Sequence, residues 1–339
     1  MFGAMARAIQ SSPAIAAPGS RVDKSATLDA ADHRLIELLR ADGRASNRFL
    51  AGEVGLTEAT VASRIRRLAD SGVLTVTAVL DWEAAGYEWF VTTCIEVEGR
   101  PPRAVAADIA ELTEAHAITL VFGEFDIVAH FLAEDRDHLH RLLNEQLAAV
   151  PGVRQVTTSL VTQLVGLRWG VGTFPVDHHP QLRLPNPPFP LDDLDHQMIA
   201  ALINDGRQSN REIARQLGVS DGTIRARLRR MEEAGLLRIV AMVDPVALGT
   251  VGAIAFIGIK VEGPVVNAVA AKVAEMPEVM HCAVTVGRQD IFVVAACDSR
   301  AELVDLAAQR LRSMEGIRST ETLEAIEVVK HEYHWARLL

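Results

Sequence analysis

The feature that most constrains the fold of this chain is an internal repeat. Shifting the sequence by 163 positions aligns residues 28–86 with residues 191–249 without a gap, and 24 of the 59 aligned residues are identical. At a shift of 164 the match continues, since Gly123 then aligns with Gly287. Self-similarity over this length indicates a duplicated unit rather than one large core. We therefore expect two similar halves of about 145 residues each.

A proline-rich segment separates the two halves. Residues 174–190 contain six prolines in seventeen positions, so this stretch can form neither a helix nor a central strand. We interpret it as a spacer that lets the halves pack against each other in many relative orientations. Residues 1–27 are rich in Ala, Ser and Pro and lack the apolar stretch of a secretory signal, so we interpret them as a disordered tail.

The composition excludes several classes of protein. Of the 339 residues, 49% are hydrophobic and 23% are charged, which is typical of a folded globular chain. No apolar run reaches the roughly 18 residues that a membrane span needs. Three cysteines without a CxxC pair argue against disulfides and favour a cytoplasmic protein. The formal charge of −10 discourages nucleic-acid binding unless positive charge is concentrated locally.

Each half begins with the pattern of three short helices and a strand. The first helix ends at an Asp-Gly-Arg turn, at residues 42–44 and again at 205–207. A second glycine turn and a hydroxyl residue suited to cap a helix precede the third helix, and a strand is expected over 74–79 and 237–243. The spacing of a small residue, a glycine and a β-branched residue is typical of a helix-turn-helix. Both copies keep it, as Ala51, Gly55 and Val61 and as Ala214, Gly218 and Ile224.

The third helix of each half is cationic although the chain is acidic. Its hydroxyl and arginine side chains are suited to contact DNA phosphates and base edges. The candidate DNA-binding residues are Thr57, Thr60, Ser63, Arg64, Arg66 and Arg67 in the first copy and Ser220, Thr223, Arg225, Arg227, Arg229 and Arg230 in the second. An arginine run alone is more typical of a solvated helix face paired with acidic neighbours. The duplicated helix-turn-helix spacing favours the DNA interpretation.

The remainder of each half predicts the order βαββαβ. The first half has strand patterns at 90–97, 117–122, 127–132 and 153–165 and helical patterns at 103–112 and 137–149. The second half has strand patterns at 253–261, 281–286, 291–296 and 317–329 and helical patterns at 265–276 and 300–314. This order is typical of a ferredoxin-like sandwich, with helices on one face of an antiparallel sheet.

The predicted fold class is therefore α+β, with two tandem copies of a winged-type helix-turn-helix domain followed by a ferredoxin-like domain. The expected helix-turn-helix domains span residues 28–82 and 191–245. The expected ferredoxin-like, ligand-sensing domains span residues 83–173 and 246–339.

With these elements in place, each half resembles a full-length regulator of the Lrp/AsnC (leucine-responsive, feast/famine) family. The resemblance rests on the sequences LDAADHRLIELLRADGR and LDDLDHQMIAALINDGR, on the helix-turn-helix and on a G-x-x-D hairpin in each half. It covers residues 28–170 and 191–335, and it implies a sequence-specific DNA-binding transcription regulator. It also implies that the ferredoxin-like domains pair through their sheets and bind a small effector, such as an amino acid.

The effector-binding residues implied by the resemblance are those of the two hairpins, Gly123, Glu124, Phe125 and Asp126 together with Gly287, Arg288, Gln289 and Asp290. A tight turn explains the shared glycine and aspartate equally well, because glycine tolerates positive φ and aspartate bonds to nearby backbone. The pairs Glu-Phe and Arg-Gln between them differ, so two identical effector sites are not expected.

The implied partners are double-stranded DNA and a small-molecule effector. Since relatives usually carry one unit per chain, this chain resembles a fused dimer, and we expect an intrachain pseudo-dimer that associates further into homo-oligomers. Its two half-sites on DNA should then lie about 34–36 Å apart or a multiple of that distance. The first module is expected to read DNA more weakly, because Gly52 and Glu53 stand where the second copy has Arg215 and Gln216.

Neither enzymatic activity nor a cofactor or metal is expected. The sequence contains no nucleophile elbow, phosphate-binding glycine loop or dinucleotide fingerprint. The pairs His178–His179 and His331–His334 lack a third ligand at suitable spacing. One alternative is a siroheme decarboxylase of similar architecture, which the strands FVTTCIEVEG and AIAFIGIKVEG disfavour because they contain almost no His or Arg. Another is an effector-sensing module with impaired DNA binding.

Overall fold

A computed structural model describes residues 28–168 and 183–338 of the chain. The expected tail, 1–27, and the first part of the expected linker, 174–182, lie outside the described residues. Both halves contain the predicted elements in the predicted order, which confirms the α+β class and its tandem arrangement. Within the described ranges, no helix combines the length and apolar character needed to cross a membrane.

The elements of the two halves correspond one to one apart from short additions. Those of the first half are α1 (Ala30–Ala41), α2 (Asn47–Val54), α3 (Glu58–Asp70), β1 (Leu74–Asp81), α4 (Trp82–Ala85), β2 (Trp89–Val97), α5 (Pro102–Ala110), β3 (Ala115–Phe122), β4 (Ile127–Ala133), α6 (Arg136–Arg141) and β5 (Val153–Leu167). Those of the second half are α7 (Asp193–Asn204), α8 (Asn210–Leu217), α9 (Asp221–Glu233), β6 (Leu237–Val243), β7 (Ala253–Val261), α10 (Val266–Ala274), β8 (Val279–Val286), β9 (Ile291–Cys297), α11 (Arg300–Asp305), β10 (Ile317–His331) and β11 (Trp335–Ala336).

The structure differs from the prediction in the last helix of each half. The expected helices over 137–149 and 300–314 are regular only in α6 and α11, and wider π-helical turns continue them at 142–147 and 306–310. Such a turn inserts one residue into the helical repeat, so the apolar spacing that predicts a helix does not reveal it.

The strands that follow the two helix-turn-helix modules pair with each other. β1 and β6 form an antiparallel ribbon from Leu74 opposite Val243 to Leu80 opposite Leu237, and β11 adds a short parallel strand to β1. Each first helix packs across this ribbon on the strand of the other copy, α1 on β6 and α7 on β1. The two modules therefore share their hydrophobic packing and form one body.

The eight long strands of the ferredoxin-like domains form one closed sheet. Its order is β10-β3-β4-β2-β5-β8-β9-β7, and β7 closes it on β10. The copies join at two seams, β5 with β8 and β10 with β3. These seams pair the edge strands that each copy would otherwise expose, and α5, α6, α10 and α11 cover the outer face.

The described part of the linker contacts both halves, since Phe189 packs against Arg230 of the second half and two hydrogen bonds join the linker to the first. The Asn186 amide donates to the carbonyl of Ala85, and the Tyr87 hydroxyl donates to the carbonyl of Arg183, both at 3.0 Å. A side chain at Gly86 would meet the Asn186 backbone at 2.3 Å, so glycine is required there. Residues 183–190 therefore restrict the relative orientations that a free spacer would allow.

The interior of the closed sheet contains an inner histidine cluster, which we define as His116, His130, His281 and His331. The ring centroid of Phe90 lies 5.6 Å from that of His130, 6.1 Å from that of His116 and 6.4 Å from that of His281. His331 lies 5.9 Å from His116. Because burial in apolar surroundings disfavours the charged imidazolium, it lowers the pKa of His130 to about 3 and that of His281 to about 4.

This cluster predicts acid sensitivity of the fold. The unfolded chain takes up protons on these histidines near their ordinary pKa of about 6.5, whereas folded His130 takes one up only near 3. Stability is thus fully present above about pH 6.5 and is lost as the pH falls below it. We expect His130→Phe to remove about 1 kcal/mol per pH unit from the slope of unfolding free energy between pH 6 and 5.

Urea unfolding at several pH values measures that slope, and His140→Phe, at an exposed histidine, serves as the control. An unchanged slope in the His130 variant would contradict the prediction.

Candidate nucleic-acid interface

The third helix of each module begins at a hydroxyl cap beside the glycine turn. Gly55 and Gly218 end α2 and α8 in the left-handed region, at φ of 67° and 70°. Thr57 accepts from the amide of Thr60 at 3.2 Å, and Ser220 caps α9 in the same way. The buried side of α3 and α9 consists of Val61, Ile65 and Leu68 and of Ile224, Leu228 and Met231. The hydroxyl caps therefore fix the residue at which α3 and α9, and with them their solvent-facing polar sides, begin.

Two of the predicted arginines of the first copy lie against their own first helix. Arg64 contacts Asp29 at 2.8 Å and Asp32 at 2.9 Å, and Arg67 contacts Asp32 at 2.5 Å. The Asp32 side chain is only 1% exposed, so its charge depends on these two guanidinium groups. Hydrogen bonds from the Asp32 amide and from Arg64 lower the pKa of Asp29. These arginines hold α3 to α1.

The second copy repeats this arrangement. Arg227 contacts Asp192 at 2.6 Å and Asp195 at 2.8 Å, and Arg230 contacts Asp195 at 2.8 Å. Asp195 is again 1% exposed. The guanidinium of Arg230 also lies 4.3 Å from the ring centroid of Phe189 in the linker. Both pairs of arginines thus have structural partners in addition to any role on DNA.

Three predicted arginines do not contact Asp32 or Asp195 and are exposed, namely Arg66, Arg225 and Arg229. Arg225 is 70% exposed and pairs with Asp221 at 2.5 Å, and Arg229 is 76% exposed and pairs with Glu233 at 2.7 Å. Exposed pairs four residues apart on a helix contribute at most about 0.5 kcal/mol. These guanidinium groups can therefore exchange a carboxylate for a phosphate at little cost.

The two modules differ in charge and in capping. Arg225 and Arg215 of the second module stand where the first has Ala62 and Gly52. Glu212 completes a capping box at the start of α8, whereas the first copy has at that position an exposed phenylalanine, Phe49. The second module therefore offers more positive charge and a better-capped helix, which supports the expectation that the first is the weaker reader.

The two G-x-x-D hairpins meet at one end of the closed sheet. Arg288 donates to Glu124 of the other hairpin at 2.5 Å and to Glu321 at 2.7 Å. Its guanidinium lies 4.6 Å from the ring centroid of Phe125, which is 2% exposed. A charged cluster of one arginine and two carboxylates, contributed by both copies, results.

The shared residues of these hairpins shape the turns. Asp126 accepts from the amide of Val97 at 2.7 Å, and Asp290 accepts from that of Val261 at 2.9 Å. Gly123 and Gly287 have φ of 148° and 147°, Gln289 is buried, and its side-chain oxygen has no hydrogen-bond partner among the described residues. Of the charged residues predicted to bind an effector, Glu124 and Arg288 are therefore the two that do not shape the turns.

Sequence reasoning missed a pair of arginines at the boundary between the modules. Arg44 and Arg207 each follow the Asp-Gly turn after the first helix, and each reaches the other copy. Arg44 donates to the Gln208 carbonyl at 2.7 Å and to the Asn210 side chain at 3.0 Å. The repeated Asp-Gly-Arg is the sequence signal for this contact, but by itself it predicts only the end of a helix.

Family models match both parts of each half. The AsnC-type helix-turn-helix domain matches residues 28–69 and 191–232, and the Lrp/AsnC ligand binding domain matches residues 91–166 and 254–335. The chain belongs to the Lrp/AsnC family. Each half of the chain therefore contains both domains of the family.

Individual relatives match one half at a time. An uncharacterised HTH-type transcriptional regulator of Pyrococcus furiosus is 38% identical over 144 residues, which are 42% of this chain and 97% of the relative. One from Pyrococcus abyssi is 34% identical over 144 residues, 42% of this chain and 90% of the relative. These relatives are named transcriptional regulators and have the length of one half.

A solved structure matches both halves together. The siroheme decarboxylase NirDL, determined with an iron-uroporphyrin III analogue, has a TM-score of 0.63 and 16% identity, covering 90% of this chain and 94% of that chain. At this identity the likeness shows the shared two-copy fold alone. Escherichia coli AsnC is 31% identical and covers 41% of this chain and 94% of its own, with a TM-score of 0.38.

The contacts of α9 predict different consequences for two neighbouring arginines. Arg227→Ala removes a partner of buried Asp195, so we expect it to lower the free energy of unfolding by about 1–3 kcal/mol. Arg229→Ala breaks only an exposed pair and should cost about 0.5 kcal/mol or less. Urea unfolding of both variants measures the difference, and equal effects would show that the ion pair with Asp195 does not stabilise the module.

Proposed function

We propose that the chain is a sequence-specific DNA-binding transcription regulator that responds to a small effector, with its two fused protomers acting as one pseudo-dimer. The observation that carries this proposal is the ribbon of β1 and β6, because it joins two helix-turn-helix modules in a fixed body. The names of the relatives and the matched family models support the same function. Further association of chains into homo-oligomers stays a prediction.

The division of labour among the arginines supports a specific mode of binding. Arg64, Arg67, Arg227 and Arg230 orient the third helices through buried carboxylates, while Arg66, Arg225 and Arg229 are exposed for phosphate or base contacts. The hydroxyls of Thr57, Thr60, Ser63, Ser220 and Thr223 lie on the same helices and complete the candidate surface. Since phosphate contacts position a protein and base contacts specify its site, selective binding needs both kinds of contact from this surface.

The second module offers more positive charge to DNA than the first. We expect Arg225→Ala combined with Arg229→Ala to weaken DNA binding and to reduce the slope of log affinity against log salt by about 1.8, or 0.9 per lost phosphate contact. Arg66→Ala in the first module should have a smaller effect. Mobility shifts over a salt series, on DNA selected from a random library by the wild-type chain, measure both.

Equal losses from the two modules would contradict the expected asymmetry. Failure of the wild-type chain to select any sequence would contradict DNA binding itself.

The effector proposal centres on the charged cluster at the hairpins. An amino acid carries one carboxylate and one ammonium group, and the cluster offers the Arg288 guanidinium to the first and the carboxylates of Glu124 and Glu321 to the second. An amino acid bound there would move the two hairpins apart or draw them together. It would change the arrangement of the two copies only to the extent that it binds one arrangement more tightly than the other.

We expect Arg288→Ala to abolish the response of DNA binding to the active amino acid while leaving affinity without effector within about threefold. A panel of the twenty amino acids, tested in the same mobility-shift assay on wild-type protein, identifies the active compound first. Arg312→Ala, at an exposed arginine on the outer face, is the matched control. A full response in the Arg288 variant would exclude the hairpin site.

A second candidate function is tetrapyrrole binding of the siroheme-decarboxylase type. β2 and β7 indeed lack histidine, but β3, β4, β8 and β10 place the inner histidine cluster inside the closed sheet, and neutral imidazole is a common haem-iron ligand. Against it, the rings of Phe90, Phe256 and Phe292 occupy the space around these imidazoles. Within the described parts of the chain, no three His, Cys, Asp or Glu side chains form a metal site.

Absorbance of the purified chain titrated with iron uroporphyrin III separates the two functions. A shifted Soret band that His130→Ala removes would favour the second candidate. No shift, together with a DNA mobility shift from the same preparation, would favour the regulator.

A further inference from the structure

The Asp-Gly-Arg turn of each module packs closely against the β1–β6 ribbon that the two modules share. A Cβ at Gly43 would lie 3.3 Å from the backbone of Val240 and Ala241 in β6, and one at Gly206 would lie 2.9 Å from the Thr77 amide in β1. The Gly206 amide also donates to the carbonyl of Val76 at 2.8 Å. Each turn therefore presses on the strand of the other copy, and glycine permits this close approach.

From these turns the two arginines cross in opposite directions. Arg44 reaches the Gln208 carbonyl and Asn210, the residues on either side of the N-cap of α8. Arg207 donates to the carbonyls of Gly43 and Ala45 and to the Asn47 side chain, each at 3.0 Å. The two arginines occupy equivalent positions in the repeat, so the exchange is reciprocal.

The contacts lie where they control the third helices. α8 packs on α9, and α2 packs on α3, so an arginine that holds the start of α8 or α2 also holds the third helix behind it. The ribbon and the packing of α1 and α7 across it join the modules mainly through main-chain and apolar contacts. The crossing arginines add directional polar contacts between the copies at the starts of α8 and α2. Both guanidinium groups are half-buried, and desolvation lowers the pKa of each.

We propose that Arg44 and Arg207 set the separation and relative angle of α3 and α9, and thereby the half-site spacing that the protein accepts. They act as positioning residues, without touching the bases. This inference rests on the proposed DNA-binding function, but the geometry that it predicts exists without DNA.

The first experiment measures that geometry in the free full-length chain. Spin labels are attached at Ser63→Cys and Ala226→Cys, equivalent exposed positions on α3 and α9, while Cys94, Cys282 and Cys297 are buried. We expect a single narrow distance distribution for the otherwise unchanged chain and a broadened or shifted one after Arg44→Ala and Arg207→Ala together. Arg44→Lys with Arg207→Lys should behave like the alanine variant, because an ammonium group cannot reproduce the forked contacts.

The second experiment measures spacing tolerance without the labels. A DNA site selected by the wild-type chain is remade with one to three base pairs inserted between its half-sites, each adding about 3.4 Å and a tenth of a turn. We expect the insertions to cost the wild type about tenfold or more in affinity and the double alanine variant about threefold or less. Arg48→Ala with Arg211→Ala, at equivalent exposed positions, should lower affinity equally at every spacing and leave the label distances unchanged.

The outcomes separate the two proposals. Unchanged label distances in the alanine variant would overturn the inference whether or not DNA binds. Altered distances with an unchanged spacing profile would also overturn it, because the contact would then be structural only. If the wild-type chain binds no DNA, the proposed function fails, and the inference about half-site spacing fails with it while the label distances still report whether the arginines fix the helices.

Discussion

Main-chain hydrogen bonding between the two copies is the constraint on which the rest of this structure depends. One copy alone would expose β3 and β5, or β8 and β10, as open sheet edges, and β1 or β6 would have no long partner strand. Unpaired edges of this kind attract other chains. Pairing them within one chain closes the sheet, joins the helix-turn-helix modules and brings the hairpins together. The candidate contacts between the copies, at the hairpins and at the Asp-Gly-Arg turns, are consequences of this pairing.

Fusion of the copies also permits differences that identical subunits could not use. Glu124 and Arg288 occupy equivalent positions and contact each other, whereas two identical hairpins would bring like charges together, which is unfavourable. The inner histidine cluster is also unsymmetrical, because Met280 and Val294 stand at the positions of the second half that are equivalent to His116 and His130. The two halves have thus become complementary, and each favours the other half over a second copy of itself.

The repeat and its periodic patterns were sufficient to predict the element order, the tandem α+β architecture and the positions of the third helices. They could not predict partners across the repeat. The helical pattern around Arg64 and Arg227 shows a cationic face, but which arginines meet Asp32 or Asp195 depends on how α1 and α7 cross α3 and α9. Likewise, β2 and β7 contain no histidine, and only the register of the neighbouring strands shows that histidines from four of them converge. Contacts between residues about 164 positions apart require the assembled fold.

Under the inference drawn above, the contacts of Arg44 and Arg207 with the opposite copy would let an acidic chain combine weak attraction to DNA phosphates with selectivity for particular DNA sites. Much of its arginine is bound to carboxylates within the modules, so little positive charge is free for indiscriminate phosphate binding. In the proposed function, exposed arginines such as Arg225 and Arg229 would contribute to DNA affinity only when α9 lies in a major groove. α9 would reach a groove only at a fixed distance from α3. In the proposed function, rigid coupling of the modules would therefore turn a modest local charge into a requirement for two correctly spaced half-sites.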